Sequence, residues 1–98
     1  MDIIKNIEDN VCNIALVGRL DTTTAPNLEE ELNACLDGIT ELKFDFEQLE
    51  YISSAGLRVL LAAQKRMNTQ GKMEIGNVAP EIQEVFDITG FTDILTII

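Results

Sequence analysis

Apolar and polar positions alternate or recur with clear periods along most of the chain. Residues 3–7 and 11–20 read as two strands, and Glu8-Asp9-Asn10 between them as a polar turn, so a hairpin is expected. Ile14, Leu16, Gly18 and Leu20 then share one face. The loop Asp21-Thr22-Thr23-Thr24 follows. Thr24 suits a helix N-cap and Pro26 a first turn. Leu28, Leu32, Cys35, Leu36 and Ile39 recur at helical spacing, which predicts an amphipathic helix near 25–37, ended by Gly38. Glu29, Glu30 and Glu31 lie early in it, where the helix dipole favours acids.

Leu42, Phe44 and Phe46 alternate with Lys43 and Asp45, the pattern of a strand over 41–46. Residues 48–52 lead to Ser53-Ser54 and a second helix running to about Asn68, stopped by Gly71. Residues 72–77 read as another strand. Pro80 opens a third helix with Ile82, Val85 and Phe86 inward and Gly90 past its end. The apolar tail Phe91–Ile98 is expected to pack back as a short turn plus strand. The order is ββαβαβα plus tail. Strand–helix–strand units of this length require parallel pairing with right-handed crossovers, and the first hairpin adds one antiparallel pair. The class is α/β, one domain over 1–98, with a small mixed, mainly parallel sheet and packed helices.

Composition narrows the chemistry. The chain has 98 residues, 46% hydrophobic and 24% charged, with a net charge of −10. That charge argues against a nucleic-acid binder and against an anionic membrane surface. No apolar run is long enough to insert in a membrane. Histidine is absent, which removes His-based acid–base catalysis, Ser-His-Asp triads and His metal sites. Neither a phosphate-binding glycine loop nor a metal-ligand spacing occurs, so no cofactor, metal or catalytic residue is expected, and an enzyme is not. Cys12 and Cys35 lack CxxC spacing and read as two structural thiols or as a disulfide pair. The opening Met-Asp-Ile-Ile-Lys is unlike a signal peptide, and the expectation is a reduced, cytoplasmic protein.

The charge is uneven. Residues 1–50 carry twelve acids and three bases, whereas Arg58, Lys65, Arg66 and Lys72 fall in a segment, 51–73, that has no acid. That segment holds the most informative stretch, Tyr51-Ile52-Ser53-Ser54-Ala55-Gly56-Leu57-Arg58. On a helical wheel Gly56, Leu57, Val59, Leu60, Leu61, Ala63, Gln64 and Met67 form a buried face. Ala55, Arg58, Ala62, Lys65, Arg66 and Thr69 form a small, basic one, with Ser54 at its edge. Ser53 or Ser54 is either a helix cap alone or a phosphate acceptor. A phosphate there would face free backbone N–H groups and the positive end of the helix dipole, with Arg58 one turn on. Gly56 reads as close packing, as access to the serine, or both. Loops after parallel strands gather at one sheet edge, so strands 11–20 and 41–46 are expected to bring Asp21 near Ser54. Asp21 itself reads as a rim residue or as a turn residue bonded to its own backbone.

These residues resemble the STAS domain, and most closely the bacterial anti-sigma factor antagonists, over nearly the whole chain. Gly18-Arg19-Leu20-Asp21 followed by Ala25-Pro26 resembles the G-[RE]-[LI]-D motif before the family's first helix. Residues Ile52–Arg58 resemble its phosphorylation loop, often D-S-[ST]-G-L, and Val85–Ile98, with Gly90-Phe91 inside, its closing helix and tail. The sequence departs from the pattern at Ser53, often Asp, and at Ala55, often Ser or Thr. The resemblance implies partner switching. The unmodified protein binds an anti-sigma factor that is itself a serine kinase and so frees a sigma factor. Phosphorylation of Ser54 weakens that complex, and a serine phosphatase resets it. It implies a partner surface of Asp21, Thr22, Thr23, Thr24, Ser53, Ala55, Gly56, Leu57, Arg58 and Ala62, with Ser53 a competing acceptor. The other role that STAS domains fill, a non-phosphorylated structural or regulatory subunit of a lipid-transport or stress-signalling complex, stands beside it.

Overall fold

The computed structural model describes residues 1–98. Strands β1 (Asp2–Glu8) and β2 (Val11–Leu20) form the expected antiparallel hairpin, Glu8 opposite Val11. Its two-residue turn puts Asp9 at φ 54°, a left-handed conformation that Asp tolerates. Helix α1 (Ala25–Cys35), strand β3 (Glu41–Asp45), strand β4 (Leu49–Ile52), helix α2 (Ser54–Gln70), strand β5 (Lys72–Gly76) and helix α3 (Pro80–Thr89) follow, with a short 3-10 turn at Phe91–Asp93. The sheet order is β1-β2-β3-β5, with β4 beside β2. All pairs except β1–β2 are parallel. The tail adds one parallel bridge, Ile75 to Ile97, in place of the expected strand.

The α/β architecture is as the periodicity implied, and its order gains one strand. β4 occupies residues that the sequence presents as a lead-in to α2. β2 serves two partners in succession: Val11–Ala15 pairs with β3, and Gly18–Leu20 pairs with β4. The register shifts between Gly18 and Arg19. Gly18 sits at φ 104°, a conformation L side chains rarely adopt, so glycine makes this irregularity possible.

One sheet face is buried under helices. Cys12, Leu42 and Met73 lie in one cross-strand row and Ile14, Phe44 and Ile75 in the next. All six are 3% exposed or less. The residues between them, Asn13 and Lys43, are exposed and Glu74 is half-buried on the opposite, open face. Leu28, Leu32 and Leu36 of the α1 region and Leu60, Ala63 and Met67 of α2 complete a core cluster of 24 residues. The wheel for α2 holds, with Leu61 only half-buried. Val85 of α3 is likewise half-buried, while Ile82 and Phe86 are buried. α1 ends at Cys35 rather than near 37, and Gly38 turns the chain at φ 77°. No helix is long and apolar enough to cross a membrane.

Candidate functional site at the carboxyl ends of β2 and β4

The parallel pair β2–β4 ends with Leu20 opposite Ile52, and the Ser53 N–H donates to the Leu20 carbonyl at 2.9 Å. The loop 21–24 and the start of α2 therefore leave the sheet side by side. This is the edge where open parallel sheets place their sites. Asp21, next to Leu20, is thereby brought beside Ser53, and the strand that delivers the serines is β4 and not β3. β3 ends at Asp45 against β5, one loop earlier.

The loop is tied down by its own side chains. The Asp21 carboxylate accepts from the Thr23 N–H (3.0 Å), the Thr23 hydroxyl (2.8 Å) and the Thr24 N–H (3.1 Å). The Thr23 hydroxyl above all, with the two backbone N–H groups, holds its carboxyl below the usual carboxylate range. Asp21 is thus the self-bonded turn residue, half-buried, while Thr22 and Thr23 are exposed. Thr24 occupies the N-cap position without capping through its side chain. Its backbone is already helical (φ −102°, ψ −23°), the second helical residue, Pro26, has no N–H, and the third, Asn27, donates to the Thr24 carbonyl at 3.0 Å rather than to the hydroxyl. The Thr24 hydroxyl instead donates to the Arg19 carbonyl (2.8 Å) and accepts from the Asp21 N–H (2.8 Å).

The two serines differ. Ser53 is the N-cap of α2, half-buried, with an extended backbone and its hydroxyl oxygen accepting from the Gly56 N–H at 3.4 Å. Ser54 is the first helical residue and is exposed. Arg58, one turn on, is exposed, as is Ala62, and Ala55 is half-buried. Gly56 and Leu57 point the other way. Gly56 is buried, and a β-carbon there would lie 2.7 Å from Leu20 Cγ and 3.0 Å from Ile52 Cγ1. Close packing is therefore its role, and it opens no access from its own side. Leu57 is 6% exposed and belongs to the core cluster. These two seat the helix on the strands. Ala55, Arg58 and Ala62 stay outside the core on the face of α2 that Ser54 opens, and Thr22 and Thr23 are exposed in the loop after β2.

Arg19 and Tyr51, which the sequence shows only as members of their motifs and not as a pair, meet next to Asp21. The Arg19 guanidinium lies 4.2 Å from the centre of the Tyr51 ring, and its Nε is 3.8 Å from an Asp21 carboxylate oxygen. Arg19 and Tyr51 are opposite each other in the β2–β4 register, and both are exposed. Identifying β4 is what makes the pair visible. Of the four bases in the acid-free segment, Arg66 is bound by Asp37 (2.7 Å) and Lys72 by Glu41 (3.2 Å). Arg58 and Lys65 carry no such partner. No group of three or more metal-ligating side chains converges anywhere in the chain.

The family model of the STAS domain matches residues 2–98. The chain belongs to the STAS domain family. BtrV of Bordetella bronchiseptica is 37% identical to this STAS protein over 91 residues, which is 91% of the chain and 78% of BtrV. The anti-sigma-B factor antagonist of Bacillus subtilis is 32% identical over 98 residues, covering 99% of the chain and 88% of that protein. The crystal structure of an anti-sigma factor antagonist from Mycobacterium paratuberculosis superposes with a TM-score of 0.87 at 23% identity, over 98% of this chain and 83% of that one. That likeness carries the fold, mixed sheet and packed helices together.

Proposed function

We propose that this STAS domain is an anti-sigma factor antagonist switched by phosphorylation of Ser54. Its partner in the unmodified state is an anti-sigma factor serine kinase, whose capture frees a sigma factor, and a serine phosphatase restores the unmodified form. The observation that carries this reading is the exposed Ser54 hydroxyl at the first position of a 17-residue helix, beside the ordered loop 21–24. The similarity over 99% of the chain to a protein named an anti-sigma-B factor antagonist supports the partner class.

The chemistry needs nothing from this chain but an acceptor. The kinase transfers the γ-phosphoryl group of ATP to Ser54 Oγ, the serine proton leaves, and ADP departs. The phosphate, near −2 at neutral pH, then stands at a helix N-terminus whose first turn holds no acid. Free N–H groups of that turn and Arg58 offer it hydrogen-bond donors, so the fold accepts the charge locally. The partner meets the same backbone with a different surface charge. Ser53 is the poorer acceptor, because its hydroxyl is half-buried and turned to the Gly56 N–H.

The test pairs binding with mass spectrometry. Incubation with ATP and the cognate kinase should add one phosphate to wild type and to Ser53→Ala, and none to Ser54→Ala. Ser54→Asp should lose kinase binding and Ser54→Ala keep it. Equal binding by both variants would refute the switch. An intact complex in which Ser54 stays unmodified would assign the chain to the non-phosphorylated subunit role instead.

A further inference from the structure

Two thiols that the proposed switch does not use meet at the far end of β2. Cys12, the second residue of β2, is fully buried. Cys35, the last residue of α1, is half-buried. Their sulfurs lie 3.9 Å apart and both thiols are free. The Lys5 ammonium, held by Glu31 at 2.9 Å, acts on both sulfurs. Burial first, and then the Cys35 sulfur, pushes the Cys12 thiol up to about 12, and Lys5 opposes that rise.

We propose that Cys12 and Cys35 are a reversible disulfide site, closed by thiol–disulfide exchange with a small organic disulfide, and that Cys35 is the entry sulfur. Exposure sets the order, since only Cys35 has surface for a reagent to reach. The Cys35 thiolate attacks one sulfur of the reagent RSSR. The S–S bond of the reagent breaks, a mixed disulfide forms on Cys35, and RS⁻ leaves. The Cys12 thiol gives up its proton, attacks the Cys35 sulfur, and releases the second RS⁻. The two thiolates pick up the two protons that the cysteines lost. In balance, two protein thiols are oxidised to one disulfide and one RSSR is reduced to two RSH. A disulfide bond is about 2.05 Å long, so the sulfurs, 3.9 Å apart, must close by roughly 2 Å. The bond would tie the start of β2 to the end of α1. Those elements enter and leave the loop 21–24, so the ring it closes contains that loop. The site does not depend on the Ser54 reading.

The experiment equilibrates the full chain with glutathione and rising proportions of glutathione disulfide, then acid-quenches, alkylates and weighs it. Wild type should become a monomer lighter by two hydrogens, with no thiol left to alkylate and a peptide joining Cys12 to Cys35. Cys12→Ala should stop at a glutathione adduct on Cys35, and folded Cys35→Ala should remain unmodified. Closure should raise the melting temperature of wild type by roughly 10 °C, reversibly with dithiothreitol, because the ring restricts the unfolded chain. Wild type that keeps both thiols, or that halts at the mixed disulfide, overturns the proposal. That reading uses wild type alone, so a folding defect from substitution at buried Cys12 does not blunt it.

Discussion

Gly56 bears the closest helix-on-strand contact of the site. A methyl group there must displace Leu20 Cγ and Ile52 Cγ1, neither of them the free end of a flexible chain. Gly56→Ala should cost about 1–3 kcal/mol of stability, read from urea unfolding, and should shift the amide resonances of Ser53 and Ser54. An unchanged midpoint would mean that the two strands repack around the extra carbon. Asp21 makes a second residue-scale prediction. Its folded pKa lies below the unfolded value of 3.8, so its contribution is complete above 3.8 and is lost as pH falls through the lower, folded value. Its side-chain carboxyl resonance should therefore titrate below 3.8, and the Thr23 and Thr24 amides should lose exchange protection only in that acid range. A midpoint above 3.8 would contradict the loop geometry. The self-bonded turn was one of two readings the sequence left open for Asp21, and the hydrogen bonds to Thr23 and Thr24 show that turn. The hydroxyl of Thr24 was not legible. Its position at the cap is a matter of spacing, whereas its bonds depend on the Arg19 carbonyl and the Asp21 N–H lying within reach.

β4 shows why an element can hide at the next scale. Leu49 and Ile52 are its buried residues, three apart, so Leu49–Ile52 never shows the alternation that marks β3. Its pairing rests on a register shift at Gly18–Arg19 that no local pattern announces. The helices and the longer strands follow from period alone, and the placement of Ser54 does not, because it hangs on β4. The junction from α2 to β5 yields a sharper test. A β-carbon on Gly71 would fall 1.9 Å from the Thr40 carbonyl oxygen, a backbone atom that itself accepts from the Lys72 N–H at 2.9 Å. Nothing flexible can yield there, so Gly71→Ala should cost about 3 kcal/mol or more. Gly38 offers the contrast. Its φ is 77°, and an added β-carbon would meet only open space, so Gly38→Asn should cost about 1 kcal/mol or less. Unfolding midpoints of the two variants measured together would separate close approach from backbone conformation. Equal losses would sink that distinction.

At the scale of the whole molecule the question is which charges win. The excess of acids and the basic segment 51–73 are plain in the sequence, but the pairing that removes Arg66 and Lys72 from that segment is not. Asp37 and Glu41 reach them only once the strand and helix ends have docked. Four ion pairs form in all, with N···O distances from 2.7 to 3.8 Å, each with partners at least partly exposed. Exposed pairs contribute only about 0–1 kcal/mol each. Against them stand seventeen acids on a body with extents of 33 × 26 × 20 Å. At 0.01 M salt the screening length is about 30 Å, so nearly every acid repels nearly every other, whereas at 0.1 M it is about 10 Å and the distant repulsions fade while contact pairs persist. Repulsion across the body should therefore outweigh the few short attractions at low salt. Raising salt from about 0.01 M to about 0.5 M at pH 7 should increase the melting temperature by a few degrees. The gain should shrink towards pH 4.1, where the net charge approaches zero. Ser54→Asp, with one more negative charge, should gain more from salt than wild type does. A melting temperature that falls with salt at pH 7 would show that the ion pairs and the Arg19–Tyr51 contact outweigh the net charge.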